Sequence, residues 1–526
     1  MLDFTRRGFM QLGAAAAASF AGRTAGAQQA YDDGGPIPPA VSGPLTRVVV
    51  VGAGLAGLTV ANAMKNAGKQ VVVVEGRDRV GGRMETRLVG GIPFDLGAAW
   101  IHGPIGNPVS DFASQVGVTT TPLDLETEAG AGRFTGYDPL IGSLSAVDTQ
   151  AAFGAAADFL FELPALRAQL GAGASVDAGI IAHLNNEGFT GDTRRVVDFL
   201  IRSALVEQTY AGSASDLSLD WYFEDLAFGG GDVVPDGGMT QLAEAMAEQV
   251  DVRLNETVTD IAYDGSGVVV TTSAGTHTGS HAVVTIPLGV LQSGAPTFTP
   301  ALPTTKTDAI AALGMGSLEK IVLRYPNAFW RTALPVARHY FYLSSNFPSF
   351  PSSLEYPFFL DWTSIAGSPA LVCAVSADFA ASLSLSPGMS DAQIMTRIGA
   401  IQDEIFGVAT TEAPTHFEMS RWETDPFSLG AYSYIPVGSS PADMDTLGDP
   451  VGGRVLFAGE ATNSNYYGTL HGAMLSGIRE GKRLLQSAAV LLPEPRFMLP
   501  IAAAGLIALA KLRARLPSAD TPPSAP

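Results

Sequence analysis

The sequence predicts an α/β protein in which a Rossmann-like dinucleotide-binding domain is interleaved with a second, α+β domain. Three observations predict it. Residues 47–83 read as strand, glycine turn, helix, strand and acid; residues 234–291 return as short β-branched runs that end in a turn at Pro287; residues 454–485 bring a further strand, a Gly-Glu pair and a helix.

The elements follow in chain order. Residues 48–51 are a short valine run of the kind that makes a buried parallel strand. Gly52, Gly54 and Gly57 come next at GxGxxG spacing around Ala53, Leu55 and Ala56. Gly52 permits the tight turn, and Gly54 lets a pyrophosphate approach backbone N–H groups at the positive end of the helix that begins near Leu55. Gly57 allows helix and sheet to pack closely. Ala67-Gly68 ends the helix, 71–74 is the second strand, and Glu75 stands where a carboxylate accepts both hydroxyls of an adenosine ribose. Gly76 and Arg77 continue that turn. Further on, an Ala-rich helix is predicted over 240–249, and the strand that delivers Gly459 and Glu460 leads to a helix starting after Thr469-Leu470-His471-Gly472.

Two segments separate an NAD site from an FAD site. Gly81-Gly82-Arg83, followed by FDLGAAWIHG over 94–103, resembles the flavin amine oxidase family, which includes monoamine oxidases, polyamine oxidases and histone demethylases. The resemblance implies that the segment with Gly82 wraps the FAD pyrophosphate, that Arg83 neutralises phosphate charge, and that the backbone at Gly97, Ala98, Ala99 and Trp100 runs along the flavin. It implies that Val258 meets adenine through its backbone, that Glu460 bonds the ribityl chain, and that Thr469 and Leu470, at a helix N-terminus, stabilise negative charge on reduced flavin. Ala431 replaces the cysteine that bonds FAD in monoamine oxidases, so noncovalent FAD is expected.

The same resemblance supplies the chemistry. Lys320, in GMGSLEKIVL, matches the lysine that holds a water near flavin N5; Tyr432 matches one of the two aromatics flanking the amine, and Thr469 takes the place of the second. His102 matches a substrate-contacting histidine of polyamine oxidases. The acidic stretch 220–225, DWYFED, reads either as a polar surface loop or as a subsite for a distal ammonium, with Glu224 as the candidate. No Ser-His-Asp order or Cys/His metal spacing competes, so no metal is expected. The implied reaction is oxidation of a primary or secondary amine, with polyamines foremost, to an imine, O2 or another acceptor taking the electrons. The other readings are an amino-acid oxidase, with Arg202 or Arg338 as the carboxylate partner, a monoamine oxidase or dehydrogenase of the same fold, and a noncatalytic FAD-binding electron-transfer protein.

Composition agrees with a large core: 526 residues, 46% hydrophobic, 59 glycines. A balance of 31 basic against 51 acidic residues, net −20, argues against nucleic-acid binding and favours attraction of cations. Arg6-Arg7-Gly8-Phe9-Met10, an apolar stretch and Ala25-Gly26-Ala27 read as a twin-arginine signal, so export to the periplasm or beyond is expected. Cys373, the one cysteine, lies in the apolar run ALVCAV and reads as a buried strand residue. The 14 apolar residues 497–510, with basic residues behind them, make a helix of ~21 Å against a ~30 Å hydrocarbon core, either a short membrane anchor or a helix docked on the protein body. The expected division is a leader 1–27, a flexible linker 28–44, FAD-binding segments 45–118, 230–312 and 431–488, substrate-domain segments 119–229 and 313–430, and a tail 489–526.

Overall fold

The computed structural model describes residues 41–123, 134–348, 354–385, 388–407 and 412–485. The twin-arginine leader, most of the linker and the apolar tail lie outside the described residues.

Valine runs build a five-stranded parallel sheet in the order Val455–Phe457, His281–Val284, Arg47–Val51, Gln70–Val74, Val252–Arg253. Its strands come from three distant parts of the chain. Side chains alternate across the sheet, so Val48 and Val50 join the core under the Leu55–Asn66 helix, while Val49 and Val51 pack with Ile261, Val268 and Val270 of a four-stranded sheet on the other face. Both faces are covered, which is why the run is uniformly apolar.

The second domain rests on a seven-stranded sheet ordered His416–Met419, Leu318–Arg324, Ala370–Ser376, Phe358–Asp361, His339–Tyr342, Phe134–Asp138, Gly142–Ser143. Helices Ala146–Leu170, Val176–Asn186 and Gly191–Leu200 cover it, and the last runs into a π-helical turn, Ile201–Glu207. Two separated segments thus close one sheet. Thr120–Pro122 pairs antiparallel with Val233–Pro235, joining the point where the chain leaves the nucleotide domain to the point where it returns. The architecture is an α/β FAD-type domain interleaved with an α+β domain. Cys373 is fully buried in the Ala370–Ser376 strand.

Three boundaries differ from expectation. Residues 41–44 are not free linker: Val41 is buried, the Ser42 N–H donates to the Gly453 carbonyl, and the Ser42 carbonyl lies 3.1 Å from His281 Nε2. The Thr240–Ala247 helix is shorter than the alanine run suggested. The last helix spans Leu470–Leu485, beginning before Gly472, because Thr469 caps it.

Candidate functional site

A cavity of about 1700 Å³, its open mouth included, runs between the two domains. Of the residues assigned to the cofactor, all but Ala53, Gly57, Ala99 and Trp100 line it, and Lys320, Tyr432 and Thr469 line it as well.

At one end Glu75 is buried, with Oε2 accepting the Ala53 N–H at 2.8 Å and Oε1 accepting the Arg77 N–H at 2.9 Å. Each oxygen keeps a lone pair for a ribose hydroxyl. Ala53 therefore acts by orienting Glu75 rather than by facing the cavity. Arg77 pairs with Asp425 at 2.9 Å and lies over the Phe427 ring, which also abuts Gly76. Val258 lines the wall beside them. Phe427, Asp425 and Ser428 were not singled out from sequence, where residues 313–430 were expected in the substrate domain. Their nearest signal was the DPFS turn.

In the middle, the Leu55–Asn66 helix starts with no side-chain cap on Gly54 and no acid in its first turn, so its leading N–H groups and dipole face the cavity unopposed. A Cβ on Gly54 would meet nothing within 4 Å, whereas one on Gly57 would lie 2.1 Å from the Gly52 carbonyl. Gly54 is a cradle and Gly57 a packing contact. Gly52 has φ +105 and would strike Thr285. These residues fit a dinucleotide pyrophosphate.

Glu460 ties three segments together. Its Oε1 accepts from Arg83 Nη1 at 2.9 Å; its Oε2 accepts from Ser433 Oγ at 2.5 Å, the Ser433 N–H at 3.4 Å and the Gly468 N–H at 2.8 Å. Oε2 is saturated, so a ribityl hydroxyl can reach only Oε1. Arg83 also donates to the Ala431 carbonyl at 2.7 Å.

At the far end, Lys320 is 2% exposed and donates from Nζ to the Gly97 carbonyl at 2.5 Å, 4.6 Å from the centre of the Trp100 ring. Burial brings its ammonium down to about 8, against the pull of Asp95, which burial itself pushes up to about 6. Next in the chain, Glu319 points the other way: it accepts from Ser420 Oγ at 2.6 Å and the Glu423 N–H at 3.2 Å, and burial pushes it up to about 7. That grip holds the turn carrying Trp422, whose Nε1 donates to the Leu96 carbonyl at 3.1 Å and whose ring lies against Gly97. Tyr432 is buried and its hydroxyl donates to the Gln208 carbonyl at 3.2 Å.

Five assigned residues sit differently from expectation. Thr469 Oγ donates to the Tyr466 carbonyl at 2.6 Å and accepts the Gly472 N–H at 3.0 Å, so its hydroxyl is a helix cap and only one lone pair is left for a substrate. Glu224 is not on the cavity: on the helical face it pairs with Arg167 at 2.5 Å, and its neighbour Asp225 accepts from the Tyr210 hydroxyl. Trp100 and Ala99 turn to a second cavity behind Lys320. His102 occupies a small pocket sharing Ala98, Gly468, Thr469 and Leu470 with the main cavity, its Nδ1 2.9 Å from Asp232 Oδ2. Asp232 was missed, and so was Glu207, a carboxyl 3% exposed and pushed well up by burial, one residue before the Gln208 carbonyl that holds Tyr432. A lone acid inside the apolar run SALVEQTYAG was the available signal for Glu207. Arg202 is bound by Asp177 and Asp198, and Arg338 by the Pro335 and Ala337 carbonyls; neither lines the cavity. Among the described residues no group of three His, Cys, Asp or Glu is placed to hold a metal.

Residues 55–485 match the model of the flavin containing amine oxidoreductases, and 14–90 match that of the pyridine nucleotide-disulphide oxidoreductases. Similar curated proteins include FLOWERING LOCUS D of Arabidopsis thaliana, 33% identical over 452 residues, with 84% of this chain and 55% of the relative covered. Lysine-specific histone demethylase 1 homolog 3 of Oryza sativa subsp. japonica is 33% identical over 448 residues (83% and 54%), and human lysine-specific histone demethylase 2 is 31% identical over 451 (83% and 53%). The chain spans about half the length of these relatives. A solved putrescine oxidase, wild type bound to putrescine, shares the fold at TM-score 0.66 and 20% identity, covering 84% of this chain and all of that one. FAD is the cofactor that the cavity serves, and Ala431, with the lone cysteine away from the lining, leaves it without a cysteinyl bond. On this match, over most of its length and on the three segments that meet at one cavity, the chain belongs to the flavin-containing amine oxidoreductase family.

Proposed function

We propose that this protein is an exported amine oxidase that converts a primary or secondary amine, foremost a polyamine, to an imine that water hydrolyses to aldehyde and amine. One observation carries the reading. The end of the cavity beyond Gly97 pairs a tyrosine face with a single buried ammonium, Lys320, while the lining arginines, Arg77 and Arg83, stand elsewhere and are paired with Asp425 and Glu460. An amino acid would bring a carboxylate there with no arginine to receive it.

Bound FAD supplies the two-electron acceptor for the hydride leaving the amine's α-carbon, and O2 takes the pair onward to H2O2. The protein's own groups do the rest. Tyr432 offers a π face to the substrate nitrogen. Lys320, held near 8 by burial, shares a proton with a water at the end of its side chain. The Asp232–His102 pair presents a fixed imidazole beside Thr469. The net charge of −20 draws cations, the Arg6-Arg7 motif supports export, and the apolar 497–510 segment supports membrane association.

A second reading, an N-alkylated lysine side chain as substrate, is favoured by the identity to lysine-specific histone demethylases. One experiment separates them. The mature holoenzyme is titrated anaerobically with spermine, spermidine, monoamines, a methyl-lysine peptide and amino acids while the flavin spectrum is followed. Bleaching by polyamines, with a rate that rises with pH until the amine is neutral, is expected. Bleaching by amino acids alone would overturn the proposal, bleaching by the peptide alone would select the second reading, and bleaching by none would leave a noncatalytic flavoprotein.

A further inference from the structure

Behind Lys320 lies a separate cavity of about 860 Å³, outer mouth included. It shares only Lys320 with the cofactor cavity among the described lining residues. One wall is apolar and aromatic, built from Phe94, Trp100, Val322, Trp362, Ile365 and Val372, with Trp100 and Trp362 5.9 Å apart; Asp95, Asp236 and Lys320 also line it. Its rim is the exposed turn at Asp236 and Gly237. It therefore reaches from the surface to the inner end of a lysine that also walls the FAD site.

The charges around it discriminate between visitors. Asp95 Oδ1 accepts from Thr86 Oγ and the Met239 N–H, and Asp236 accepts from the Thr119 and Thr121 hydroxyls, so both carboxylates are engaged. The inner end carries the Lys320 ammonium. A cationic amine drawn to the rim by Asp236 would give up water against the aromatic part of the wall and end against the Lys320 ammonium. A small apolar gas meets neither penalty, and a cation at the inner end stabilises the negative charge that O2 gains as it takes up electrons.

We propose that this cavity is the dioxygen route of the enzyme, separate from the path of the amine. It rests on the oxidase reading given above. In the overall reaction the amine gives up two electrons and two protons as it becomes the imine, and O2 takes up both pairs and leaves as H2O2.

The test uses the holoenzyme reduced photochemically, so that no amine is needed. Ala366→Trp, on the short Thr363–Ala366 helix, and Ile365→Trp each fill the cavity from its partly buried wall without touching the cofactor lining. Reoxidation on mixing with O2 is expected to slow by about tenfold, while anaerobic reduction by amine stays within about twofold of wild type. Xenon under pressure is expected to occupy the apolar wall of the cavity beside Trp362 and Val372 in crystals. Unchanged reoxidation in both folded variants, a selective loss of amine reduction instead, or a cavity without xenon would each overturn the route. Failure of every amine to bleach the flavin would sink the oxidase reading but leave the xenon and reoxidation results interpretable.

Discussion

Glycine 54 and glycine 57 share one motif and do opposite jobs, and the space beside each tells them apart. Gly54 has φ −74 and open cavity beside it, so Gly54→Ala is expected to fold with near-normal stability and to purify with its flavin absorbance greatly reduced. Gly57→Ala drives a methyl to 2.1 Å from the Gly52 carbonyl, so helix and strand must separate; a loss of roughly 1–3 kcal/mol is expected in denaturant unfolding. Equal behaviour of the two would refute this division. Lys320 makes the second residue-scale prediction. Its folded value of about 8 lies below the ordinary 10.5, so between those pH values the unfolded chain holds a proton that the folded chain does not, and stability rises with pH across that window. Below pH 8 the whole cost of burying the charge is present, on the order of 3 kcal/mol. Lys320→Met is expected to raise Tm at pH 7, to lose that gain as pH climbs toward 10.5, and to slow turnover. A variant both less stable at pH 7 and fully active would contradict the assignment.

At the scale of elements, the Leu470–Leu485 helix ties the last nucleotide segment to the first. It crosses the Leu55–Asn66 helix closely because Gly477 lies where a Cβ would be 2.6 Å from the Ala56 carbonyl. Its first turn carries Leu470 and His471, and the latter, 3% exposed, is brought down to about 3 by burial and by His102, so it is neutral. The cap on this turn is Thr469. Thr469→Ala is expected to cost about 1 kcal/mol, read as a fall in Tm, and Thr469→Ser to restore most of it. Equal loss in both would assign the effect to the methyl group instead of the hydroxyl. The sequence reading placed the start of this helix three residues late, since a Gly-containing start looks like loop until the threonine is seen to bond its backbone.

For the whole molecule, the consequence of interleaving is that neither domain is a contiguous piece of chain. The parallel sheet needs 47–74, 252–284 and 455–457 together, and the seven-stranded sheet needs 134–143 and 318–419. The cavity that serves FAD is lined by all three nucleotide segments, so the bound cofactor would act on the global equilibrium. Its removal is expected to lower stability by about 2.7 kcal/mol relative to holoenzyme at a free cofactor concentration 100 times Kd, and to lower Tm for probes in both domains alike. Separate transitions for the two domains would show that the interleaved chain does not unfold as one unit.

The nucleotide half was legible because its determinants are local. A valine run, three glycines at fixed spacing and an acid at the end of the second strand each act within a turn or a strand of their neighbours. Cys373 in its apolar run was equally plain. The substrate half was not legible in the same way, because a charge or hydroxyl gains its role from a partner far along the chain. Glu224 lies in an acidic stretch but meets Arg167; Asp232 carries no local mark yet holds His102 from 130 residues away; Glu207 shows only as a lone acid in an apolar run, and the structure buries it beside the residue that holds Tyr432. By itself the sequence determined the nucleotide-binding fold, the FAD site and the family. Only the tertiary structure decided which polar groups remain available at the end of the cavity beyond Gly97, since Lys320 is bound by the Gly97 carbonyl and Tyr432 by the Gln208 carbonyl, partners more than two hundred residues away in the chain.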